Sequence, residues 1–216
     1  MARAFLAGSD GHFSCFLEAD EKAVVAQVAQ EVIDLMRMDL GMREVPEALA
    51  DASESSDPLR RLEAEMAGDG AGREPEDPAV KRLLPNLIEG DEAAAREYRR
   101  LSQQDLVKDK THALACVCRV VDSTGNGPVE LMLDRGEALL WLRALTDMRL
   151  VLAERMGVRN EDDFEMLQMF CQQEVEPETQ EDDELPGVDY LATVYEFFSW
   201  LQESLLRAIC ENRPEG

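Results

Sequence analysis

Residues 91–122 contain neither glycine nor proline, and no other feature narrows the folds open to this chain so far. Nothing in that stretch loosens the backbone or removes a main-chain donor, so a helix started there has no reason to stop. Tyr98, Leu101, Leu106, Leu114, Val117 and Val121 give it an apolar side. One long helix is predicted, ended by the turn-forming cluster at 123–128. A second helix is still clearer. Leu191, Val194, Phe198, Leu201, Leu205 and Ile209 recur at spacings of three and four and bury one face, with Trp200 beside it. That apolar face is also the candidate seam for a homodimer.

Shorter patterns point to strands. Phe13 to Leu17 alternates and leads through Glu18, Ala19, Asp20 and Glu21 into Val24, Val25, Val28, Val32 and Leu35, a spacing that suits an amphipathic helix. Ser9, Asp10 and Gly11 make a turn, which allows residues 4–7 to pair with 12–17 as a hairpin. A second copy of the pattern begins at Val129. Val129, Leu131 and Leu133 alternate with polar or flexible neighbours, and Leu139, Leu142, Leu145, Met148 and Leu152 then mark a helix ending near Gly157. Asp134 and Glu137 have capping-box spacing. Placing Phe13 on Val129 also brings Leu17 onto Leu133 and Glu21 onto Glu137, which suggests two strand-helix units sharing one small sheet.

The expected fold is therefore mainly α: a helical bundle with a small β-sheet formed by short strands near the N-terminus and near residues 129–133. Residues 1–216 are expected to form a single domain. Residues 42–76 are rich in Ala, Ser, Gly, Pro and acids and read as a mobile excursion with one or two short helices. Phe164, Leu167, Met169 and Phe170 suggest a helix over 160–175, and 174–187 reads as a solvated acidic loop framed by Pro177 and Pro186.

Charge restricts the partners. With 46 acidic and 22 basic side chains the formal net charge is -24, which repels polyphosphate at long range and disfavours direct DNA binding. No export signal is visible at the N-terminus, and no run approaches the roughly 20 apolar residues of a membrane helix. Five cysteines, an odd number, fit thiols kept reduced in a cytoplasm.

Catalytic material is sparse. His12 and His112 are the only histidines, which leaves little for a hydrolytic triad or a histidine-rich metal centre. Gly68, Gly70 and Gly72 lack the preceding strand and the following Lys-Ser/Thr pair of a phosphate loop, so they read as a linker. His112, Cys116 and Cys118 form the one cluster of soft ligands, but Cys118 points away from the face shared by the other two, and further ligands would have to come from distant residues such as Cys171. No metal, cofactor or catalytic residue is expected. Cys116, Cys118 and Cys171 are the redox candidates, with Arg119 beside Cys118 favouring thiolate, although a bond between Cys116 and Cys118 needs local unwinding. The basic residues Arg96, Arg99, Arg100, Lys108 and Lys110 are candidates for contacting phosphate or a partner. The weightier reading pairs them with surrounding carboxylates. Asp147 and Arg149, inside an apolar helix, read as a pair that fixes packing. An enzyme site assembled from Asp147, Arg149, Tyr98 and His112 is the remotest alternative.

Three blocks carry a family resemblance. Arg82, Leu83, Leu84 and Pro85 precede a stretch ending EYRRLSQQDL at Leu106, followed by LDRGEALLWLRALTDMRLVLAERMGV from Leu133 to Val158 and YEFFSWLQESLL from Tyr195 to Leu206. Together these resemble the actinobacterial family of formerly uncharacterised proteins, often encoded beside the Clp protease adaptor, that includes the actinomycete oxidative-stress transcriptional regulator. The resemblance implies a mainly helical domain and a redox-responsive role in transcription, with a sigma factor or RNA polymerase subunit as partner. The alternative it carries is a Clp-protease-associated adaptor or scaffold with no role in transcription. It supplies no catalytic residue.

Overall fold

The computed structural model describes residues 3–8, 10–42, 73–88, 90–125, 127–158 and 188–212. The helix expected over 160–175, the acidic loop at 174–187 and residues 43–72 of the excursion lie outside the described residues. In chain order the elements are β1 (Arg3–Ala7), β2 (Phe13–Leu17), α1 (Ala19–Asp39), α2 (Pro78–Leu83), α3 (Glu92–Asp122), β3 (Val129–Leu133), α4 (Arg135–Arg155) and α5 (Val188–Glu211). The architecture is mainly helical with one small antiparallel sheet. Two compact units result, one of Met1–Gln30 with His112–Gly216 and one of Glu31–Thr111.

The first unit contains the sheet, in the order β1-β2-β3. Both pairings are antiparallel. The β2–β3 register sets Phe13 against Leu133, Cys15 against Leu131 and Leu17 against Val129, so the two strands aligned by sequence lie side by side about a local two-fold at Cys15 and Leu131. Alternation decides the faces. Phe5, Phe13, Cys15, Leu17, Leu131 and Leu133 are buried, while the residues between them turn outward. On the buried side Phe5 meets Trp141 of α4 edge-on, ring centroids 6.2 Å apart. Phe198, Leu201 and Leu205 of α5 are fully buried, so the face considered as a dimer seam is taken up inside the unit.

The helices that follow β2 and β3 begin alike. Glu18 N–H donates to the Glu21 carboxylate at 2.8 Å, and Asp134 N–H donates to that of Glu137 at 3.2 Å. At α4 the box is complete, because the Asp134 carboxylate accepts from Glu137 N–H at 2.8 Å. Val25, Ala29, Val32 and Met36 are buried on α1, and Trp141, Leu145, Met148 and Leu152 on α4, in matching positions under the shift that sets Phe13 on Val129.

The predicted long helix is present as α3, whose 31 residues start where Asp91 accepts from Ala93 and Ala94 N–H at 3.0 Å. Its expected apolar side needs correction at Leu101, which is 62 % exposed. In the second unit the buried side of α3 runs instead through Ala95, Gln103 and Val107. Gln103 donates to the Arg73 carbonyl at 2.8 Å. The Asp39 carboxylate accepts from Glu76 N–H at 3.1 Å and Asp77 N–H at 2.9 Å. These contacts hold residues 73–77 ahead of α2, which Asp77 caps by accepting from Ala79 N–H and which opens on Pro78.

Candidate partner-binding surface

The outward side of the sheet carries two cross-strand rows. Leu6 lies opposite Ser14, and Ser14 opposite Met132; Arg3 lies opposite Phe16, and Phe16 opposite Glu130. Leu6 is 66 % and Met132 55 % exposed. In the second row the Arg3 guanidinium sits 5.1 Å from the Phe16 ring centroid, an arrangement favoured by the negative face of the ring. One row is thus apolar and the other charged, and among the described residues no strand continues either of them beyond β3.

Between α4 and α5 runs a polar seam that the apolar periodicity of both helices conceals. Arg149 donates to Gln202 Oε1 at 2.6 Å and to the Tyr195 hydroxyl at 3.0 Å, and its guanidinium lies 5.0 Å from the Tyr195 ring centroid. Gln202 in turn donates to Thr146 Oγ1 at 2.7 Å. Asp147 is buried and engaged. Arg149 therefore acts in packing, and its partners are on α5. Tyr98 is half-buried and His112 exposed.

Cys15 and Cys116 sit in less reactive surroundings than their neighbours in sequence suggest. Cys15 donates to the Arg3 carbonyl at 3.1 Å, and burial, with the Glu21 carboxylate adding to it, pushes its thiol up to about 12. Cys116 is also raised by burial, an effect partly opposed by Arg119, whose Nη2 donates to its Sγ at 3.5 Å. Arg119 thus serves Cys116 and not its neighbour Cys118. Cys118 is half-buried and lies 3.9 Å from the Ala26 carbonyl, as a donor to it. Cys15, Cys116 and Cys210 are free thiols, Cys210 being exposed; Cys171 lies outside the described residues.

In the second unit the basic residues separate into kinds. Arg99 reaches Glu74 at 3.4 Å with its side chain only 12 % exposed. Arg100 holds Glu97 at 2.8 Å, and that hydrogen bond keeps the Glu97 carboxyl below its usual range. Lys110 is half-buried and engaged. Arg96 and Lys108 are exposed and have no partner among the described residues. A cleft of about 450 Å³ opens at the start of α3, lined by Glu74, Asn86, Ile88, Asp91, Glu92 and Arg99. Arg99 Nε is buried there without a hydrogen-bond partner among the described residues. Three carboxylates around one guanidinium make a poor phosphate cradle.

Among the described residues no three His, Cys, Asp or Glu side chains gather as a metal-holding group, and no helix is long and apolar enough to cross a membrane. One residue that sequence reasoning passed over is Lys22, which is 6 % exposed and bridges from α1 to Thr124 Oγ1 at 3.4 Å and to the Gly125 carbonyl. No curated protein and no solved structure matches the chain. A family match does extend over residues 2–209, nearly its whole length, and the protein belongs to the DUF2017 family, a domain of unknown function.

Proposed function

We propose that this protein regulates transcription by binding a basic surface on a protein partner, a sigma factor or an RNA polymerase subunit, without turning over a substrate. The observation that carries the reading is the net charge of -24. Such a field accelerates encounter with a basic protein and opposes encounter with nucleic acid. Support also comes from the exposed Leu6 and Met132 on the outer side of the sheet, which offer apolar contact. A redox input at Cys116 requires α3 to open, because burial keeps that thiol protonated and residues two apart on a helix face different ways.

The test is crosslinking of the full chain to purified sigma factors and polymerase subunits under reducing and peroxide-treated conditions, with thiol-labelling mass spectrometry in parallel. Association with one of these partners, weakened by added salt, is the expected result. No association in either condition removes the reading, and capture of a Clp subunit in its place substitutes the adaptor role. A peroxide-dependent pairing of two cysteines identifies the input.

A further inference from the structure

The sheet has two edges, and among the described residues only the β1 edge is met by another element. Gly8 N–H donates to the His12 carbonyl at 2.8 Å, which makes these two a hydrogen-bonded pair, and the register continues through Leu6 and Ser14. Because such pairs alternate along an antiparallel ladder, His12 and Ser14 bond toward β1, while Phe13, Cys15 and Leu17 bond toward Leu133, Leu131 and Val129 of β3. Past Leu6 the register shifts by a bulge before Arg3, and within it Phe5 N–H turns off the far side of β1 to meet Ser204 Oγ of α5 at 3.3 Å. On β3 the alternation sends the main-chain groups of Glu130 and Met132 outward. Among the described residues they have no partner.

We propose that the β3 edge receives an extended segment of a partner protein as a fourth strand, with a basic side chain beside Glu130 and an apolar side chain beside Met132. The inference rests on the protein-binding reading above and adds where and how the partner is held. The two cross-strand rows dictate the pattern. An added strand extends the Leu6, Ser14, Met132 row with one residue and the Arg3, Phe16, Glu130 row with another two positions away, since side chains on one face recur with period two. Main-chain hydrogen bonds to Glu130 and Met132 give affinity, and the two outward side chains give selectivity.

Charge chooses the occupant. A second copy of this chain brings its own net charge of -24 and another Glu130 to the edge, and like charges across a strand pair oppose pairing. Within β3 and directly after it the charged residues are Glu130, Asp134 and Arg135, all exposed. Two carboxylates outweigh the one guanidinium. A short edge strand bearing a charge is also how proteins keep unselected strands away, so Glu130 both repels acidic strands and selects a basic one.

The probe is a fluorescein-labelled peptide of the repeat Lys-Thr-Val-Thr, which sets lysine and valine two positions apart on one face, with a version N-methylated at every second amide as its partner. The methylated peptide keeps the charge and loses the donors that a strand ladder needs. Fluorescence anisotropy on the full chain is expected to show saturable binding of the first peptide, weakened about tenfold or more by methylation and by Met132→Pro. That substitution removes one outward N–H and leaves the β2 ladder intact. On the unaltered chain, amide exchange at Glu130 and Met132 is expected to slow about tenfold when the peptide is bound, a readout that needs no variant to fold. The proposal is overturned by equal affinity for the two peptides, by unchanged exchange at both amides, or by no binding of the first peptide up to ~1 mM. Crosslinking to sigma factor and polymerase subunits separates the two claims. Capture that Met132→Pro leaves intact overturns the edge and spares the regulator; peptide binding without any such capture supports the edge and removes the regulator.

Discussion

Gly41 and Gly157 end two helices of equal length in the same left-handed turn. α1 and α4 each have 21 residues, and the glycines sit at φ 65° and 73°. Gly41 N–H donates to Met38 and Met42 N–H to Arg37, at 3.1 and 2.9 Å; Gly157 N–H donates to Glu154 and Val158 N–H to Ala153, at 3.1 and 2.9 Å. This double bond pattern satisfies carbonyls that the helix end leaves open. The shift that sets Phe13 on Val129 also sets Gly41 on Gly157, so strand, acidic cap, helix and glycine stop all repeat. Replacing either glycine by alanine is expected to cost about 1 kcal/mol, because an L side chain is strained at positive φ. At Gly157 an added Cβ meets nothing within 4 Å, so the cost there is backbone alone; at Gly41 it meets the movable end of Arg73 at 2.9 Å. Urea unfolding checks both, and an unmoved midpoint for Gly157→Ala would rule out the strain argument.

Lys22 is a buried cation whose identified partners are neutral oxygens. It ties the second turn of α1 to the turn that joins α3 to β3, through Thr124 Oγ1 and the Gly125 carbonyl. Lys22→Met keeps most of the apolar stem and removes the ammonium, leaving those oxygens without their donor. A loss of about 1 kcal/mol is expected, the size of a hydrogen bond given up where Thr124 is half-buried and Gly125 exposed. Urea denaturation with an unchanged m-value measures it, and a variant as stable as the parent shows that water replaces the ammonium without penalty.

The strands and both long helices were legible because each advertises itself locally. Phe13 to Leu17 and Val129 to Leu133 alternate, and 91–122 lacks any breaker. Leu101 was misplaced for a physical reason: the buried side of α3 in the second unit runs through Ala95, Gln103 and Val107, and a short, a polar and a branched residue do not form a stripe that hydrophobic periodicity detects. α2 went unpredicted although Asp77 followed by Pro78 is a helix-start signal. The Lys22 anchor left no trace, since one of its partners is a main-chain carbonyl 103 residues away. That the outer edge of β3 has no partner among the described residues needed the register of β1 on β2 and the Ser204 contact, both tertiary facts.

Cys15 makes stability depend on alkaline pH. Its thiol is pushed up to about 12 in the folded chain against an ordinary value of 9.0, so above pH 9 the unfolded chain releases this proton while the folded chain keeps it. The folded state then binds more protons, and stability falls as pH rises. The contribution is whole below pH 9 and declines toward pH 12, by about 4 kcal/mol at the limit. Cys116, raised in the same direction by burial, adds to the trend. Thermal unfolding from pH 8 to 11 is expected to show a shallower decline for Cys15→Ala than for the parent chain, each relative to its own value at pH 8. Parallel curves would mean that the Cys15 thiol does not govern the loss.

Arg149 gives the strongest test of whether a polar seam can fix how α4 and α5 meet. Its guanidinium serves Gln202 and Tyr195 together, and Gln202 passes the connection to Thr146. Lysine lacks the planar fork that reaches two acceptors at once, so Arg149→Lys is expected to behave much like Arg149→Ala, each losing about 2 kcal/mol. Residues that share one network do not contribute independently. The cycle of Arg149→Ala with Gln202→Ala is therefore expected to show a coupling of about 1 kcal/mol, the double variant being more stable than the two single losses added together. Additive losses would reduce the seam to two separate contacts. Full recovery in Arg149→Lys would show that the positive charge alone matters, leaving the orientation of α5 to the apolar face of Phe198, Leu201 and Leu205.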